Sequence, residues 1–284
     1  MRIPVYGIEH TFLEKETGLL YRNSSLKETA PLHTHNFYEF FIVTDGTALH
    51  MVNNTVQTLT KGDLVFIRPQ DAHSYDFYHS EDFRILNVGF SNLIFQSIKS
   101  FLENTEKMQR LLETEFPECI HTDGATLELI SSEFKHIGTL MQTSPAKHTT
   151  FHAKCFLVSI FADYFFNYHD FEQKNNKIPQ WFDRMLIEMQ RIENLQIGFP
   201  KMLELSACSK NHLCRVFKDT LSVTPTQYIN NKRLEYAVYL LTQTTEDILE
   251  ICAYCGFNNL SHFYHLFKQK FNCPPVKFRK LKIL

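Results

Sequence analysis

Apolar and polar positions change their period near residue 90. Before it, short runs rich in β-branched and aromatic residues lie at Phe37–Val43, Met51–Leu59, Asp63–Pro69 and Arg84–Phe90. Asp45-Gly46, Asn53-Asn54 and Lys61-Gly62-Asp63 interrupt them with turn chemistry. Short strands in succession predict an antiparallel sandwich or barrel. After residue 90, apolar positions recur at helical spacing over Asn92–Leu102, Leu127–Met141 and His148–Tyr168. The third helix and its continuation carry Phe151, Phe156, Phe161, Tyr164, Phe165, Phe166, Tyr168 and Phe171. So aromatic a segment must be covered, either by the β-rich part or by a second subunit. The polar stretch Glu172–Ile178 reads as a linker.

From Pro179 onward the pattern is helical throughout. The expected elements are Trp181–Ile192, Lys201–Ala207, Lys210–Thr220, Pro225–Leu241, Thr245–Cys255, Leu260–Phe271 and Pro275–Lys280. A repeat of period 50 runs through them: Leu213–Lys218 (LCRVFK) falls over Phe263–Lys268 (FYHLFK), Pro225 over Pro275, and Tyr228 over Phe278. A helix, a tight turn and a second helix, made twice, predict two helix-turn-helix units, each able to set one helix in a DNA major groove. The connecting helix, opened by a proline, spans about 25 Å at ~1.5 Å per residue.

Charge sharpens this division. The 284 residues carry a net charge of −2, but from Ile178 onward 14 Lys and Arg face 9 Asp and Glu, a net of +5. Residues 1–177 keep 15 against 22, a net of −7. The basic half suits a polyanion and the acidic half does not. With 26 Phe and 12 Tyr, core material is ample. Seven scattered Cys make no disulfide framework, and neither a spanning apolar run nor a signal-peptide pattern is visible. A cytoplasmic location is therefore expected.

The C-terminal hundred residues resemble the AraC/XylS family of bacterial transcription regulators. The matching positions include Ser209, Leu213, Arg215, Phe217, Lys218, Pro225, Arg233, Leu234, Ala237, Ile251, Gly256, Phe257, Ser261, Phe263, Phe267, Lys268 and Pro275. Helical spacing puts Leu213, Phe217 and Leu221 on one buried face and Phe263, Phe267 and Phe271 on another. Ser209, and Asn258 or Asn259, are expected to cap the two reading helices. The resemblance implies base contacts from Asn211, Cys214 and Arg215 in the first, and from Leu260, Ser261, Tyr264 and His265 in the second. Arg215 can take a guanine edge through two hydrogen bonds, and Asn211 an adenine edge. Lys210, His212, Lys218, Asn259 and Lys268 are candidates for phosphate contact. His265 stands where the first unit has Arg215, and Ser222 and Asn272 stand where the family often has Gly. The pair Cys252-x-x-Cys255 falls inside a helix without a second pair at zinc spacing, and is expected in the core.

The N-terminal part carries His33-x-His35-x3-Glu39-x6-Gly46 and then Gly62…Pro69-x-Asp71-x-His73. In a regular strand the even spacings would put His33, His35 and Glu39 on one side. The two elements resemble the motifs of the cupin superfamily, whose β-barrels often hold a metal with three His and one Glu. That resemblance implies His33, His35, Glu39 and His73 as ligands, with Zn, Ni, Fe, Mn or Cu all compatible. Asp71 and Phe77 depart from the second motif. A metal-free effector pocket is the alternative, and Phe37, Tyr38, Phe41, Tyr75 and Arg84 are candidate effector-binding residues, with Tyr78 nearby in sequence. The runs HTHNFYEF at His33–Phe40, GDLVFI at Gly62–Ile67 and RILNVGFS at Arg84–Ser91 are similar to the chitobiose-operon regulator subgroup. This implies a chito- or cello-oligosaccharide derivative as effector.

The fold expected is α+β. It comprises a cupin-type β-barrel at 1–90 that binds the effector, a helical connector at 91–177 that transmits its state and pairs two subunits, and an all-α double helix-turn-helix domain at 178–284. The expected partners are double-stranded promoter DNA, a small sugar, a second copy of the chain and, for an activator, RNA polymerase. Two rivals share the ligand set: direct metal sensing, and a metal-dependent cupin enzyme fused to a DNA-binding domain. The enzyme is disfavoured, because no further acid/base pair beside the ligands commits to a reaction.

Overall fold

The computed structural model describes residues 5–6, 13–26, 30–53, 55–77, 82–103, 106–114, 116–166 and 179–282. The polar stretch 172–178, Tyr168, Phe171 and Tyr78 lie outside them. The chain divides into two compact units, 1–53 with 58–175, and 54–57 with 176–284. Among the described residues no helix is long and apolar enough to cross a membrane.

The described residues hold ten strands, all in the first unit except the start of β6: β1 (Val5–Tyr6), β2 (Leu19–Leu26), β3 (Ala30–His35), β4 (Tyr38–Asp45), β5 (Thr47–Val52), β6 (Thr55–Thr60), β7 (Asp63–Ile67), β8 (His73–Phe77), β9 (Phe83–Phe90) and β10 (Cys119–His121). They form two five-stranded sheets, ordered β1-β3-β8-β5-β6 and β10-β7-β4-β9-β2. The run at Met51–Leu59 falls in two strands, β5 and β6, divided where turn chemistry was expected, with Asn53 at φ 47°. Side chains alternate across β4, β7 and β9, so one sheet serves two cores. Phe41, Val43, Val65, Ile67, Phe83 and Ile85 point inward and meet Ala48, Leu59 and Tyr75 of the facing sheet. Phe40, Ile42, Leu64, Phe66, Leu86, Val88 and Phe90 point the other way, into a second apolar cluster. Strands buried on both faces read as continuous apolar runs, and that is how β4, β7 and β9 stood out in the sequence.

Helices fill the second cluster: α1 (Asn92–Phe101), α2 (Glu106–Glu113), α3 (Gly124–Thr143) and α4 (Ala146–Ile160), with α4 extended by a π-helical turn, Phe161–Phe166. Ser91 caps α1 and Asp123 caps α3, each accepting a backbone N–H with its side-chain oxygen. Gly138 permits α3 to approach β2, since a Cβ there would stand 2.3 Å from the Tyr21 ring. The aromatic segment finds its cover on the sheet. Phe161 and Phe165 lie 5.0 and 5.3 Å from Phe40, ring centre to ring centre. The residues expected to act as a connector therefore share one core with the strands.

The second unit is helical: α5 (Gln180–Glu188), α6 (Ile192–Ile197), α7 (Phe199–Ser206), α8 (Lys210–Leu221), α9 (Pro225–Gln243), α10 (Ile248–Tyr254), α11 (Leu260–Phe271) and α12 (Pro275–Lys282). The helix expected at Trp181–Ile192 ends at Glu188, and α6 follows as a separate short helix. The two helix-turn-helix pairs are α7–α8 and α10–α11, joined by α9. Ser209 caps α8 and Asn259 caps α11, each accepting from the backbone three residues on. Thr224 and Gln227 form a reciprocal capping box at the start of α9. Gly256 turns the second pair at φ 83°, where a Cβ would also strike the Gln196 backbone at 2.8 Å. Ser222 and Asn272, which end the reading helices, take left-handed backbone angles of 57° and 60° without being glycine.

Arg233 on α9 holds three parts of this unit together. Its Nε donates to Leu195 O at 2.9 Å and its Nη2 to Gln196 O at 3.2 Å, satisfying the end of α6. The guanidinium also lies 5.7 Å from the Phe257 ring in the second turn.

Candidate functional site

Each reading helix buries one stripe and exposes another. In α8, Leu213 and Phe217 are fully buried, and Phe217 packs against Phe182 and Tyr228. In α11, Phe263 and Phe267 are buried, and Phe271 is half-buried against Phe267 and Phe278. Leu221 departs from the expected buried stripe, at 37 % exposed. It is the last residue of α8, and the chain turns away at Ser222.

The opposite stripe carries the candidate readers. Asn211 and Arg215 on α8, and Leu260, Ser261 and His265 on α11, are exposed, while Cys214 and Tyr264 are half-buried. Lys210, Lys218 and Lys268 are exposed on the same two helices. Two phosphate candidates have internal work. Asn259 Oδ1 accepts from His262 N at 2.9 Å as the helix cap, which leaves its amide hydrogens as the groups able to meet a phosphate. His212 Nδ1 lies 3.1 Å from Arg215 Nη2 and, as the partner of a guanidinium, accepts from it. The Trp181 ring lies 5.8 Å from that of His212. Sequence reasoning missed His212 as a support for Arg215, although its i,i+3 spacing carried the signal.

Cys252 and Cys255 are buried at the end of α10, as expected for core residues. The Cys252 thiol donates to Phe257 O at 3.6 Å. Burial raises both thiols above the ordinary range, which disfavours thiolate formation.

The second candidate site lies between the two sheets. His35, Glu39 and His73 are buried, and one ligand atom from each lies within 4.8 Å of the others. They do not come from one strand. His35 ends β3, Glu39 is on β4 in the other sheet, and His73 opens β8. The even-spacing argument therefore fails at Asn36-Phe37, where the chain crosses between sheets. Glu39 faces inward because it shares the alternation of Phe41 and Val43. His33 pairs with His73 in register, its ring centre 4.4 Å from that of His73, but it is outside the gathered group.

The cluster is short of hydrogens. His35 Nδ1 lies 2.7 Å from Phe37 O, and a carbonyl can only accept, so Nδ1 carries a proton. In the neutral ring, Nε2 then presents a lone pair to Glu39 Oε2, 3.4 Å away. The other carboxylate oxygen accepts from Asn87 Nδ2 at 2.5 Å. His73 places Nδ1 3.4 Å from the Tyr75 hydroxyl, and its buried Nε2 has no hydrogen-bond partner among the described residues. Burial, followed by the neighbouring His33, His35 and His50, pushes the His73 pKa well below the ordinary value. A carboxyl group and two imidazoles gathered this closely can share a proton or hold a metal ion between them. The donor set fits the ion that the sequence implied: two imidazoles and a carboxylate, each fixed by a further hydrogen bond.

The aromatic surroundings differ from the expected pocket. Phe37 stacks on His35 at 4.1 Å, and Phe41 and Tyr75 stand edge to face at 5.5 Å inside the sandwich. Tyr38 does not line this space. It has the opposite alternation to Glu39 and stacks on Phe95 of α1 at 3.9 Å. Arg84 does not line it either: it sits on the outward side of β9, 57 % exposed and paired with Asp82 at 2.8 Å. His50 was missed. It is fully buried on β5 opposite Tyr75, its ring 5.7 Å from that of His73, and burial followed by His33 lowers its pKa to about 3. A lone His in an alternating strand carries no motif, and only the register brings it here.

A helix-turn-helix pair made twice and a buried polar cluster inside a β sandwich define a DNA-binding protein with a ligand-binding domain. Comparison with known proteins gives the family. Residues 19–118 match the AraC-like ligand binding domain and residues 203–281 match a helix-turn-helix domain. Over 272 residues the chain is 26 % identical to the HTH-type transcriptional activator RhaS of Mannheimia succiniciproducens, covering 94 % of this chain and 96 % of that one. It is 24 % identical over 263 residues to RhaS of an Enterobacter species, covering 88 % and 87 %. Among solved structures, an apo ToxT variant from Vibrio cholerae aligns over 93 % of this chain and 97 % of its own, at 15 % identity and a TM-score of 0.42. The chain belongs to the AraC family of DNA-binding transcription regulators.

Proposed function

We propose that the protein regulates a sugar-utilisation operon in response to a chito- or cello-oligosaccharide derivative bound between the two sheets. The observation that carries this reading is the buried His35, Glu39 and His73 group beside Phe41 and Tyr75. Polar groups that converge against aromatic walls suit a sugar, whose hydroxyls need hydrogen bonds and whose CH faces need apolar contact. The similarity of HTHNFYEF, GDLVFI and RILNVGFS to the chitobiose-operon regulators supports the sugar class. His35, Glu39 and His73 would hold a divalent transition metal. Such an ion would supply a Lewis-acidic anchor for a sugar oxygen. Relatives named as transcriptional activators support a role in activation, with RNA polymerase as a partner, and a homodimer of this chain is part of the same proposal.

Two arrangements of the domains with different effector affinity are enough for regulation, because the effector then shifts their populations. The test is promoter binding by fluorescence anisotropy at fixed salt, titrated with chitobiose, cellobiose and their 6-phosphates, with and without divalent metal. Glu39→Gln combined with His73→Ala is expected to abolish the sugar response and leave promoter affinity within about twofold. A normal response in that variant would put the effector elsewhere, and a response to metal alone would make the ion itself the signal.

Arg215 reads a guanine, with His212 holding its guanidinium, while Lys210, Lys218 and Lys268 meet phosphates. Arg215→Ala should lose about 1–3 kcal/mol of discrimination at one base position. Measured by competition, equal loss on specific and random DNA would remove it from base reading. His212→Ala should weaken the same discrimination without changing the salt slope, whereas losing a phosphate contact would lower that slope by about 1.

A further inference from the structure

The geometry points to a second metal site, on the outer surface of the α3–α4 hairpin, formed by His136, His148 and His152. His148 and His152 are four residues apart on α4 and so share one face, the spacing by which a helix chelates a transition ion. Their ring centres are 4.4 Å apart. His136 reaches the same place from α3, its ring 6.1 Å from that of His152. Tetrahedral ligation at ~2.0 Å from each nitrogen separates imidazole centres by about 5 Å, between the two observed spacings.

His136 and His148 are exposed and His152 is half-buried, so small side-chain rotations can close the set. The backbone beneath is fixed. Thr149 Oγ1 donates to Leu140 O across the hairpin at 3.0 Å, and Phe134 packs edge-on against Phe156 at 5.4 Å. The set holds no carboxylate, so the chemistry selects Zn, Ni, Co or Cu over Mg or Ca. Lys135, Lys147 and Lys154 lie beside it in sequence and oppose a cation, which places the affinity below that of a closed structural site. Bound there, an ion would staple α3 to α4 and stabilise the hairpin against opening.

This site is independent of the buried group, and the experiment separates them. Zn2+ is titrated into the full-length chain by calorimetry, in the wild type and in a Glu39→Gln, His73→Ala background. One ion is expected to remain in that background and to raise the melting temperature, while Mg2+ does neither. Adding His148→Ala and His152→Ala should then raise the Zn2+ dissociation constant at least tenfold without changing the metal-free melting temperature. Unchanged Zn2+ affinity after those two substitutions, or no Zn2+ bound in the starting background, would overturn the surface site whatever the fate of the buried one.

Discussion

Arg68→Ala should be the most damaging single change in the first unit, costing about 3–5 kcal/mol by analogy with other broken buried ion pairs. The side chain is 1 % exposed at the end of β7. Its Nε and Nη2 meet the two oxygens of Asp71 at 2.9 and 2.8 Å. Its Nη1 donates to the carbonyls of Leu111, Leu112 and Thr114 at 3.2, 3.0 and 2.5 Å, the group of acceptors that the end of α2 leaves unpaired. Asp71 is fully buried and also accepts from Asn53 Nδ2 at 2.7 Å. Alanine would leave the buried Asp71 carboxylate without its counter-charge, with only the Arg68 backbone N–H and Asn53 Nδ2 donating to it, and would remove the main donor to the carbonyls at the end of α2. Arg68→Lys should recover little, since an ammonium cannot reproduce the two-pronged fork. Arg68→Met with Asp71→Leu should be milder than Arg68→Ala, because no charge is left alone. Urea unfolding checks all three, and a loss below about 1 kcal/mol for Arg68→Ala would contradict the account. The consequence reaches the ligand site, because His73 opens β8 two residues after Asp71.

Asp71 also shows why the first unit was harder to read than the second. In sequence it was a departure from a cupin motif; in the structure it is half of a buried pair whose other half no pattern marked. The reading helices were legible because their signals are local. Ser209 and Asn259 set the starts, Phe217 and Phe267 mark the buried stripes, and the period-50 repeat shows that both units do the same thing. The ligand site depends on register between distant strands. Glu39 was found by motif, for a reason of spacing that the structure does not bear out. Tyr38 and Arg84 were nominated by nearness in sequence and excluded by alternation. His50 had nearness to nothing until β5 paired with β8. The polar strands β2 and β8 escaped notice because Arg22, Asn23 and His73 break the apolar pattern by which a strand is recognised.

Glu235→Ala is expected to cost about 3–5 kcal/mol in the second unit, because it removes the buried carboxylate that two lysines share. Glu235 lies on α9 with its side chain 8 % exposed, between Lys232 and Lys270, each 3.0 Å away and themselves 17 % and 14 % exposed. Lys270 comes from α11 and also donates to Asn231 O at 3.3 Å, so the triad ties the second reading helix to the helix that joins the two units. Burial alone would raise the Glu235 carboxyl, but the two lysines outweigh it and hold the pKa below the ordinary value. A carboxyl depressed in the folded state stabilises the fold above its unfolded pKa of about 4.3, and that contribution disappears as pH falls through the lower folded value. The wild type should therefore lose stability on acidification below about pH 4 more steeply than Glu235→Gln, which has no carboxyl to protonate there. Since Lys270 holds α11 to α9, the variant should also lose promoter affinity while the Arg215-dependent base preference in α8 persists. Parallel pH-dependent melts of the wild type and Glu235→Gln would remove the triad from the stability account.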